Sequence, residues 1–305
     1  MSKKIILLSG PTASGKSKLA IYLAKKLNGE IINADSMQAY KEFLILSSRP
    51  NKKETKNVQH HLYGFISAKK HFSTGEWLEK AKIQINRCLK NKKIPIVVGG
   101  TGLYFSAITK GLSKIPEIDQ ITRDKTRDLF NKIGNKEFYN LLLNIDPKVK
   151  GKILPNDSQR SQRAYEVFIK TKKSIFEWML NTTSDFTSYN IKKIFLSVPK
   201  DELLKKISAR TENMFKKGCV KEVKRFKILK INKSLSANKL IGVREINEYL
   251  KDRISLKECK ELINIKTRQY AKRQNTWARG NMSNWNKLYS KEFTVLLKKV
   301  LKVVS

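Results

Sequence analysis

Short apolar runs alternate with amphipathic helical segments through the first hundred residues. The first run, Ile5-Ile6-Leu7-Leu8, is too short for anything but a strand. After a glycine-containing turn, an apolar stripe from Leu19 to Leu27 indicates a helix, and residues 28–34 contain its end and a second short strand. The near-continuous apolar run Ile94–Val98 is typical of a buried parallel strand. These segments predict an α/β fold, with a parallel sheet flanked by helices.

The pattern becomes strongly helical and charged from about Ser113. We therefore expect an inserted helical subdomain over residues 113–190. A further apolar strand at Ile191–Val198 returns the chain to the sheet, so residues 1–112 and 191–305 form the α/β core with its C-terminal helices. Capping boxes, at Ser73–Glu76 and Ser255–Glu258, open two of the core helices.

The turn after the first strand has the pattern G-x-x-x-x-G-K-S of a phosphate loop. Its position between a strand and a helix makes the nucleotide-binding fold of P-loop NTPases the expected architecture. Backbone N–H groups and the helix N-terminus would hold an anion, Lys16 would reach its outer phosphate, and the Ser17 hydroxyl would bind Mg²⁺. The predicted diphosphate- or nucleotide-binding residues are Gly10, Pro11, Thr12, Ala13, Ser14, Gly15, Lys16 and Ser17.

Polar residues follow the second and third predicted strands. Asp35-Ser36-Met37-Gln38 follows the second, and Gly99-Gly100-Thr101-Gly102 follows the third. Because the carboxyl ends of parallel strands meet at one edge of a sheet, both segments should lie beside the phosphate loop. Asp35 is then a candidate general base or metal partner, although an Asp at this position could equally cap a helix.

The charge of the chain points to a polyanionic partner. Its 305 residues contain 64 Lys+Arg and 26 Asp+Glu, a formal net charge of +38, and nucleic acid is the first candidate. Because codon bias toward Lys could supply much of this charge, the positions of the arginines are more informative than the total. Arg160 and Arg163 lie near the start of a predicted helix, where they can grip phosphates or remain solvated.

A second basic region lies on the long helix that ends near Arg279. Its stripe of Lys266, Tyr270, Arg273 and Trp277 alternates basic and aromatic side chains, which can hold a nucleic-acid backbone and stack on bases. The two aromatic residues could also be core anchors, and Trp277 fits that role better.

The remaining composition points to a reducing, cytoplasmic setting without a membrane. The cysteines, Cys88, Cys219 and Cys259, are far apart in sequence and form neither a metal motif nor a disulfide framework. His60 and His61 are adjacent on a strand, point to opposite faces, and are a poor metal pair. The first apolar run is too short for a signal peptide, and no later segment could span a bilayer.

Six segments resemble the bacterial tRNA dimethylallyltransferase family, in order and over nearly the whole chain. They are Gly10–Ser17, Ile32–Tyr40, Val97–Tyr104, Pro155–Val167, Ile241–Glu245 and Thr267–Trp277. Two segments depart from the family pattern. Leu46-Ser47-Ser48-Arg49-Pro50 stands where Gly-Thr-x-Lys-Pro is usual, and Gly242-Val243-Arg244-Glu245 stands where Gly-Tyr-x-Glu is usual. The resemblance implies that the first of these segments contacts the diphosphate, and Arg49 keeps the positive charge of the usual lysine.

The resemblance implies transfer of a dimethylallyl group from dimethylallyl diphosphate to N6 of the adenosine 3′ to the anticodon, in tRNAs that read codons beginning with U. It implies a monomer that uses Mg²⁺, with the anticodon stem-loop of tRNA as its partner. Asp35 would be the base, and Thr101 and Lys16 would share the catalytic site. The implied tRNA-binding residues are Asp35, Ser36, Met37, Gln38, Thr101, Arg123, Gln159, Arg160, Ser161, Gln162, Arg163, Arg244, Lys266 and Arg273.

Three other functions fit part of the sequence. A small-molecule kinase would share the phosphate loop, but such chains are shorter and lack the basic C-terminal helix. An adenylate isopentenyltransferase would share the first motifs and act on free nucleotides, whereas Gln159–Arg163 and Thr267–Trp277 favour tRNA. A nucleic-acid-binding protein without enzyme activity would not need Lys16, Ser17 and Asp35 together.

Overall fold

The fold is taken from a computed structural model, which describes residues 3–232 and 234–304. The chain forms two compact units, Met1–Ile108 with Ser188–Ser305, and Thr109–Thr187. The sequence predicts the inserted subdomain at 113–190. The tRNA-binding role that the family resemblance implies for this subdomain stays a prediction.

The larger unit contains one parallel sheet, as the apolar runs predict. Its strands are β1 (Lys4–Ser9), β2 (Gly29–Asn33), β3 (His60–His61), β4 (Ile94–Gly99), β5 (Asn190–Leu196) and β6 (Asn286–Leu288). They are arranged in the order β3-β2-β4-β1-β5-β6, and every pair is parallel. The predicted α/β class is confirmed.

Helices flank this sheet and also build the smaller unit. In chain order they are α1 (Lys16–Lys26), α2 (Lys52–Thr55), α3 (Thr74–Lys90), α4 (Gly102–Lys110), α5 (Gln120–Ile145), α6 (Ser158–Thr171), α7 (Ile175–Leu180), α8 (Lys200–Lys216), α9 (Cys219–Ile228), α10 (Val243–Tyr249), α11 (Leu256–Asn281) and α12 (Phe293–Val304). Both predicted capping boxes form, at the starts of α3 and α11.

β1 lies in the centre of the sheet, and α1 packs against the sheet through buried apolar side chains. Leu8 of β1, Leu23 of α1 and Val98 of β4 belong to one buried cluster, which Val300 and Val304 of α12 extend. Burying such side chains stabilises the fold by about 1.5–3 kcal/mol each. The C-terminal helix is therefore part of the core of this unit.

The smaller unit is built from α5, α6 and α7. Leu142 of α5 and Ala164 of α6 belong to its buried cluster, and α5 is kinked at Gly134. The Asp157 carboxylate caps α6, since Oδ1 accepts the Arg160 N–H at 3.1 Å. Across the described residues of both units, no helix combines the length and apolar character needed to cross a bilayer.

Candidate active site

The phosphate loop connects the end of β1 to the start of α1. Gly15 adopts a φ of 86°, a left-handed conformation that glycine accepts without a steric cost. No side chain of the described residues caps α1, and its first turn carries no acidic residue. The N-terminal N–H groups of an eleven-residue helix are therefore available to an anion. Ser17 lies in this first turn and is partly exposed.

Lys16 is held against the loop that precedes it, since its Nζ donates to the Pro11 carbonyl oxygen at 3.2 Å. Burial lowers the pKa of Lys16 to about 8; the negative charge of Asp35 opposes this shift, and the positive charge of Arg210 adds to it. A partly buried ammonium group whose pKa is lowered by its surroundings is well placed to bind an anion.

Asp35 follows β2, in a turn that Asn33 fixes. The Asn33 side chain accepts the Asp35 N–H at 2.9 Å and donates to the carbonyl oxygens of Asp35 and Leu62, both at 2.9 Å. The Asp35 carboxylate accepts the Met37 N–H at 3.1 Å. Burial first, and then the charge of Asp35, raise the pKa of Tyr270. The carboxylate therefore lies within electrostatic range of both Lys16 and α11.

The third loop, after β4, is hydrogen-bonded to the Asp35 turn. Thr101 donates its N–H to the Ala34 carbonyl oxygen at 3.1 Å, and its hydroxyl accepts the Ser36 N–H at 3.0 Å. The Thr101 hydroxyl also donates to the Ser36 hydroxyl at 3.4 Å. The structure thus brings the turn at Asp35 and the loop at Thr101 together at one edge of the sheet.

Gln274 of α11 links the third loop to the phosphate loop. Its side-chain oxygen accepts the Thr12 N–H at 2.8 Å, and its amide nitrogen donates to the Gly100 carbonyl oxygen at 2.9 Å. A Cβ atom at Gly100 would lie 2.2 Å from that nitrogen, so the close approach requires glycine. Gln274 belongs to the segment Thr267–Trp277, but the pattern of that segment does not predict a link between the two loops.

Arg210 of α8 is a half-buried cation beside the phosphate loop, and it is not among the site residues predicted from the sequence. Its guanidinium donates to the Thr12 hydroxyl at 2.7 Å and to the Ser47 carbonyl oxygen at 3.3 Å. Burial lowers the pKa of Arg210, whereas the charge of Asp35 opposes that shift. A sequence signal did exist, because Arg210 lies on the helical stripe that contains Leu203, Ile207 and Met214, where a charged residue is out of place.

The segment that holds Ser47 is fixed by Glu222 of α9. The Glu222 carboxylate accepts three successive backbone N–H groups, those of Leu44, Ile45 and Leu46, at 2.7–2.9 Å. Gln38 adds a hydrogen bond from its side chain to the Ser47 carbonyl oxygen at 3.1 Å. Glu222 and Gln38 therefore hold the carbonyl that orients Arg210.

Arg49, in the segment that departs from the family pattern, is occupied elsewhere. Its guanidinium donates to the carbonyl oxygens of Tyr40 and Lys41 and packs against the backbone of Gly64. The positive charge expected near the diphosphate from this segment therefore interacts with neighbouring carbonyl oxygens instead. Arg210 is a cation that contacts the phosphate loop, through the Thr12 hydroxyl.

A cavity of about 240 Å³ opens at this edge of the sheet. It is lined by the loops just described and by α11, through Ser9, Gly10, Ser36, Gly100, Thr101, Gly102, Phe195, Tyr270, Arg273, Gln274, Trp277, Ala278 and Met282. Trp277 is partly exposed and packs against Gly102, so it lines the cavity instead of serving as a fully buried core anchor. The Arg273 guanidinium lies 5.8 Å from the centre of the Tyr270 ring.

Arg244 and Lys266 line a separate cavity of about 260 Å³ between α10 and α11. Glu245 and Glu248 line it as well, so its charge is mixed. The residues of the predicted stripe on α11 therefore line two different cavities. Lys266 lines the cavity between α10 and α11, whereas the cavity at the sheet edge is lined by Tyr270, Arg273 and Trp277.

The other predicted tRNA-binding residues belong to the smaller unit. Arg123 is in the first turn of α5, and Gln159–Arg163 form the first turns of α6. Arg160 and Arg163 pair with Asp157 at 3.4 Å and Glu166 at 3.1 Å, whereas Ser161 is only 1% exposed. The Arg160–Asp157 pair is largely exposed, and such pairs are weak, whereas the Arg163–Glu166 pair is partly buried, with the Glu166 side chain 12% exposed.

Known proteins of one family match this chain over nearly its whole length. A family model described as IPP transferase matches residues 38–281. The tRNA dimethylallyltransferase of Pelagibacter ubique is 52% identical over 299 residues, which are 98% of this chain and 96% of that protein. The tRNA dimethylallyltransferase of Ehrlichia canis is 42% identical over 280 residues, covering 92% of this chain and 93% of that protein.

Two solved structures match the fold of this chain. The tRNA isopentenylpyrophosphate transferase of Bacillus halodurans matches with a TM-score of 0.70 and 31% identity, over 99% of this chain and 94% of that one. A eukaryotic dimethylallyltransferase, described as acting on tRNA, matches with a TM-score of 0.79 and 29% identity, over 91% of this chain and 70% of that one.

Proposed function

Because this chain belongs to the IPP transferase family, we propose that it transfers a dimethylallyl group from dimethylallyl diphosphate to an adenosine of tRNA. In the finer proposal, the acceptor is N6 of the adenosine 3′ to the anticodon, in tRNAs that read codons beginning with U. The product is N6-dimethylallyladenosine. The free buried thiols of Cys88, Cys219 and Cys259 suit an enzyme of the cytosol, and we propose that it acts as a monomer.

One observation carries the proposal. The phosphate loop with Lys16 and the turn that carries Asp35 lie at one edge of the sheet. Gln274 joins the phosphate loop to the loop after β4, and Thr101 of that loop is hydrogen-bonded to the Asp35 turn. Prenyl transfer needs this pair of opposite charges, because the leaving diphosphate gains negative charge while the attacking amine loses a proton.

The proposed step is a substitution at C1 of the dimethylallyl group. The N6 atom forms a bond to C1, the C1–O bond breaks, and diphosphate leaves with the bonding electrons. The lone pair of N6 is delocalised into the purine, so Asp35 takes the N6 proton as the new bond forms. Lys16, Arg210 and the N–H groups at the start of α1 hold the departing diphosphate.

The phosphate loop fits Mg²⁺ as the family resemblance implies. Ser17 presents a partly exposed hydroxyl in the first turn of α1, and Mg²⁺ is usually held by one or two protein oxygens together with substrate phosphates. Bound there, Mg²⁺ would neutralise charge on the diphosphate.

Tyr270, Arg273 and Trp277 suit the nucleic-acid side of the site. A purine acted on at its exocyclic amine has to leave its stack, and aromatic rings beside a cation receive an unstacked base. Arg160 and Arg163 would bind the tRNA backbone. In this proposal Thr101 fixes the Asp35 turn, through its hydrogen bond with Ser36.

A labelling assay tests the function. The purified protein is incubated with labelled dimethylallyl diphosphate and Mg²⁺, and with either unmodified tRNA or AMP. We expect label on tRNA, at the adenosine 3′ to the anticodon, and none on AMP. Label on AMP alone would favour an adenylate isopentenyltransferase, and ATP consumption without prenylation would favour a kinase.

The lowered pKa of Lys16 predicts a pH profile. The ammonium form binds diphosphate, and its pKa in the free protein is about 8, so its population falls tenfold for each pH unit above that value. The association constant of the tRNA-free protein for dimethylallyl diphosphate, measured by calorimetry, should therefore decline above about pH 8 with that slope. In Lys16→Arg the decline should disappear, because a guanidinium keeps its charge. A wild-type profile that stays flat to pH 10 would contradict this role of Lys16.

The basic start of α6 predicts a change in salt dependence. Removing both charges in Arg160→Ala/Arg163→Ala should weaken tRNA binding and make its slope against log salt concentration shallower by about 1.5, as expected for two lost phosphate contacts. Lys251→Ala/Arg253→Ala removes the same charge from a surface pair around Glu248 and serves as the control. An equal change in both double variants would show a general charge effect instead of contacts at α6.

A further inference from the structure

A buried cluster lies between the sheet and α3. Glu30 of β2 is its centre, since one of its carboxylate oxygens is 2.6 Å from His61 Nε2 and 3.4 Å from Cys88 Sγ. His61 is 8% exposed and Cys88 is fully buried, while the Glu30 side chain keeps 16% exposure. The proposed transfer reaction uses none of these side chains.

The cluster lies at the start of β2, whereas Asp35 follows the end of that strand. Glu30 is the second residue of β2, and the strand continues from it to Asn33, about 10 Å further on. The sequence predicts neither a good metal pair at His60 and His61 nor a metal motif around Cys88. The fold instead joins one of these histidines to one cysteine and one carboxylate, from three separate segments.

The three side chains supply the ligand types that zinc prefers. Their ligand atoms, a ring nitrogen, a thiol sulfur and a carboxylate oxygen, all lie within 4.8 Å of one another. Around a tetrahedral zinc ion with bonds of about 2.0–2.3 Å, neighbouring ligand atoms are about 3.3–3.6 Å apart. The Glu30–Cys88 separation of 3.4 Å already matches this spacing. The shorter Glu30–His61 contact needs to widen by less than 1 Å, which rotation of one carboxylate can provide.

The charges balance as well. A thiolate, a carboxylate and a neutral imidazole carry a total charge of −2, so a divalent ion makes the buried site neutral, as burial in a low-dielectric interior requires. Without an ion, burial first and then the charge of Glu30 raise the pKa of Cys88 to about 12, and the thiol keeps its proton. Glu30 is the most exposed of the three side chains, so an ion would reach the site from its side.

We propose that Glu30, His61 and Cys88 form a zinc-binding site that joins β2, β3 and α3. Binding replaces the thiol proton of Cys88 with a metal–sulfur bond and releases that proton to solvent. An ion held by three segments would stabilise this end of the sheet, because it binds the folded chain and not the unfolded one.

Co²⁺ is the probe, because a thiolate–Co²⁺ bond gives a charge-transfer absorption in the near ultraviolet. The full-length protein is stripped of metal, supplied with excess Mg²⁺ to occupy oxygen-only sites, and titrated with Co²⁺. We expect the band to saturate at one ion per chain and to disappear when Zn²⁺ is added. Zn²⁺ should also raise the Tm of the stripped protein.

Matched variants assign the ligands. Cys88→Ser should abolish the band and the Zn²⁺-dependent rise in Tm, whereas Cys259→Ser, which removes another buried thiol, should retain both. His61→Gln should weaken Co²⁺ affinity at least tenfold, while His60→Gln should not. The Tm of each stripped variant reports its folding independently of metal.

No band in the wild type, or a band that survives in Cys88→Ser, would overturn the proposal. If Cys88→Ser does not fold, loss of the band in His61→Gln with its retention in His60→Gln still supports the site, and equal bands in the two histidine variants overturn it. None of these readouts depends on prenyl transfer.

Discussion

Replacing Asp35 by Asn should lower kcat for prenyl transfer by more than about 10²-fold, the usual scale for loss of a general base. The amide keeps the size of the side chain and can still accept the Met37 N–H, so the turn after β2 should keep its shape. It cannot take a proton from N6 at neutral pH. Affinity for tRNA should therefore change little, and single-turnover rates with both substrates bound report the loss directly.

The matched control for this variant is Asp252→Asn. Asp252 is an exposed aspartate in the same unit, with a φ of 56° that asparagine adopts readily, so the same chemical change is made away from the site. Turnover of the control should stay within twofold of wild type. Near-normal turnover of Asp35→Asn would remove Asp35 from the role of base.

Replacing Arg210 by Gln should lower kcat/KM for dimethylallyl diphosphate by about 10²–10³-fold, the usual scale for loss of one donor to developing negative charge. Arg210 is a half-buried cation that contacts the phosphate loop through the Thr12 hydroxyl at 2.7 Å. A guanidinium in this position stabilises the diphosphate as it gains charge, and its removal acts on binding and on the transition state. Steady-state kinetics with varied diphosphate measure the effect.

Arg225→Gln is the control for Arg210, because it removes an exposed arginine from α9 in the same unit. It should leave kcat/KM for dimethylallyl diphosphate within about twofold of wild type. Arg210→Lys should recover only part of the loss, since an ammonium group cannot contact Thr12 and Ser47 with a planar fork. Equal kinetics for Arg210→Gln and Arg225→Gln would show that Arg210 does not act on the diphosphate.

The sequence predicted the parts of the site whose signals are local. Apolar runs placed β1 and β4, and the turns after parallel strands had to lie at one edge of the sheet. Asp35 and Thr101 could therefore be assigned to one edge before any coordinates. The hydrogen bond from Ser36 to Thr101 is one of the contacts by which the structure joins their turns.

The parts that could not be predicted are contacts between distant segments. Gln274 lies 262 residues from Thr12, and Arg210 lies 198 residues from it, so neither pairing leaves a local pattern. Arg49 was a more natural candidate for the diphosphate cation, because it lies in a segment that the family resemblance assigned to that region. Its bonds to the Tyr40 and Lys41 carbonyl oxygens depend on how the chain packs.

The same reasoning explains the cluster under α3. His61 and Cys88 are 27 positions apart in sequence, and a metal motif is recognised by short spacing. Parallel pairing of β2 with β3 places His61 beside Ile32, two residues from Glu30 and on the same face of the sheet. The register of strand pairing therefore brings Glu30 and His61 together, although their spacing along the chain gives no metal motif.

The central claim is that one sheet edge holds both the departing diphosphate and the base for the adenosine. A crystal structure of the protein with an anticodon stem-loop and a non-hydrolysable analogue of dimethylallyl diphosphate tests it most directly. We predict the diphosphate on the N–H groups of Gly15–Ser17 with Lys16 and Arg210 in contact, and the Asp35 carboxylate within about 3.2 Å of N6. A diphosphate bound outside this loop, or an N6 atom turned away from Asp35, would contradict the account.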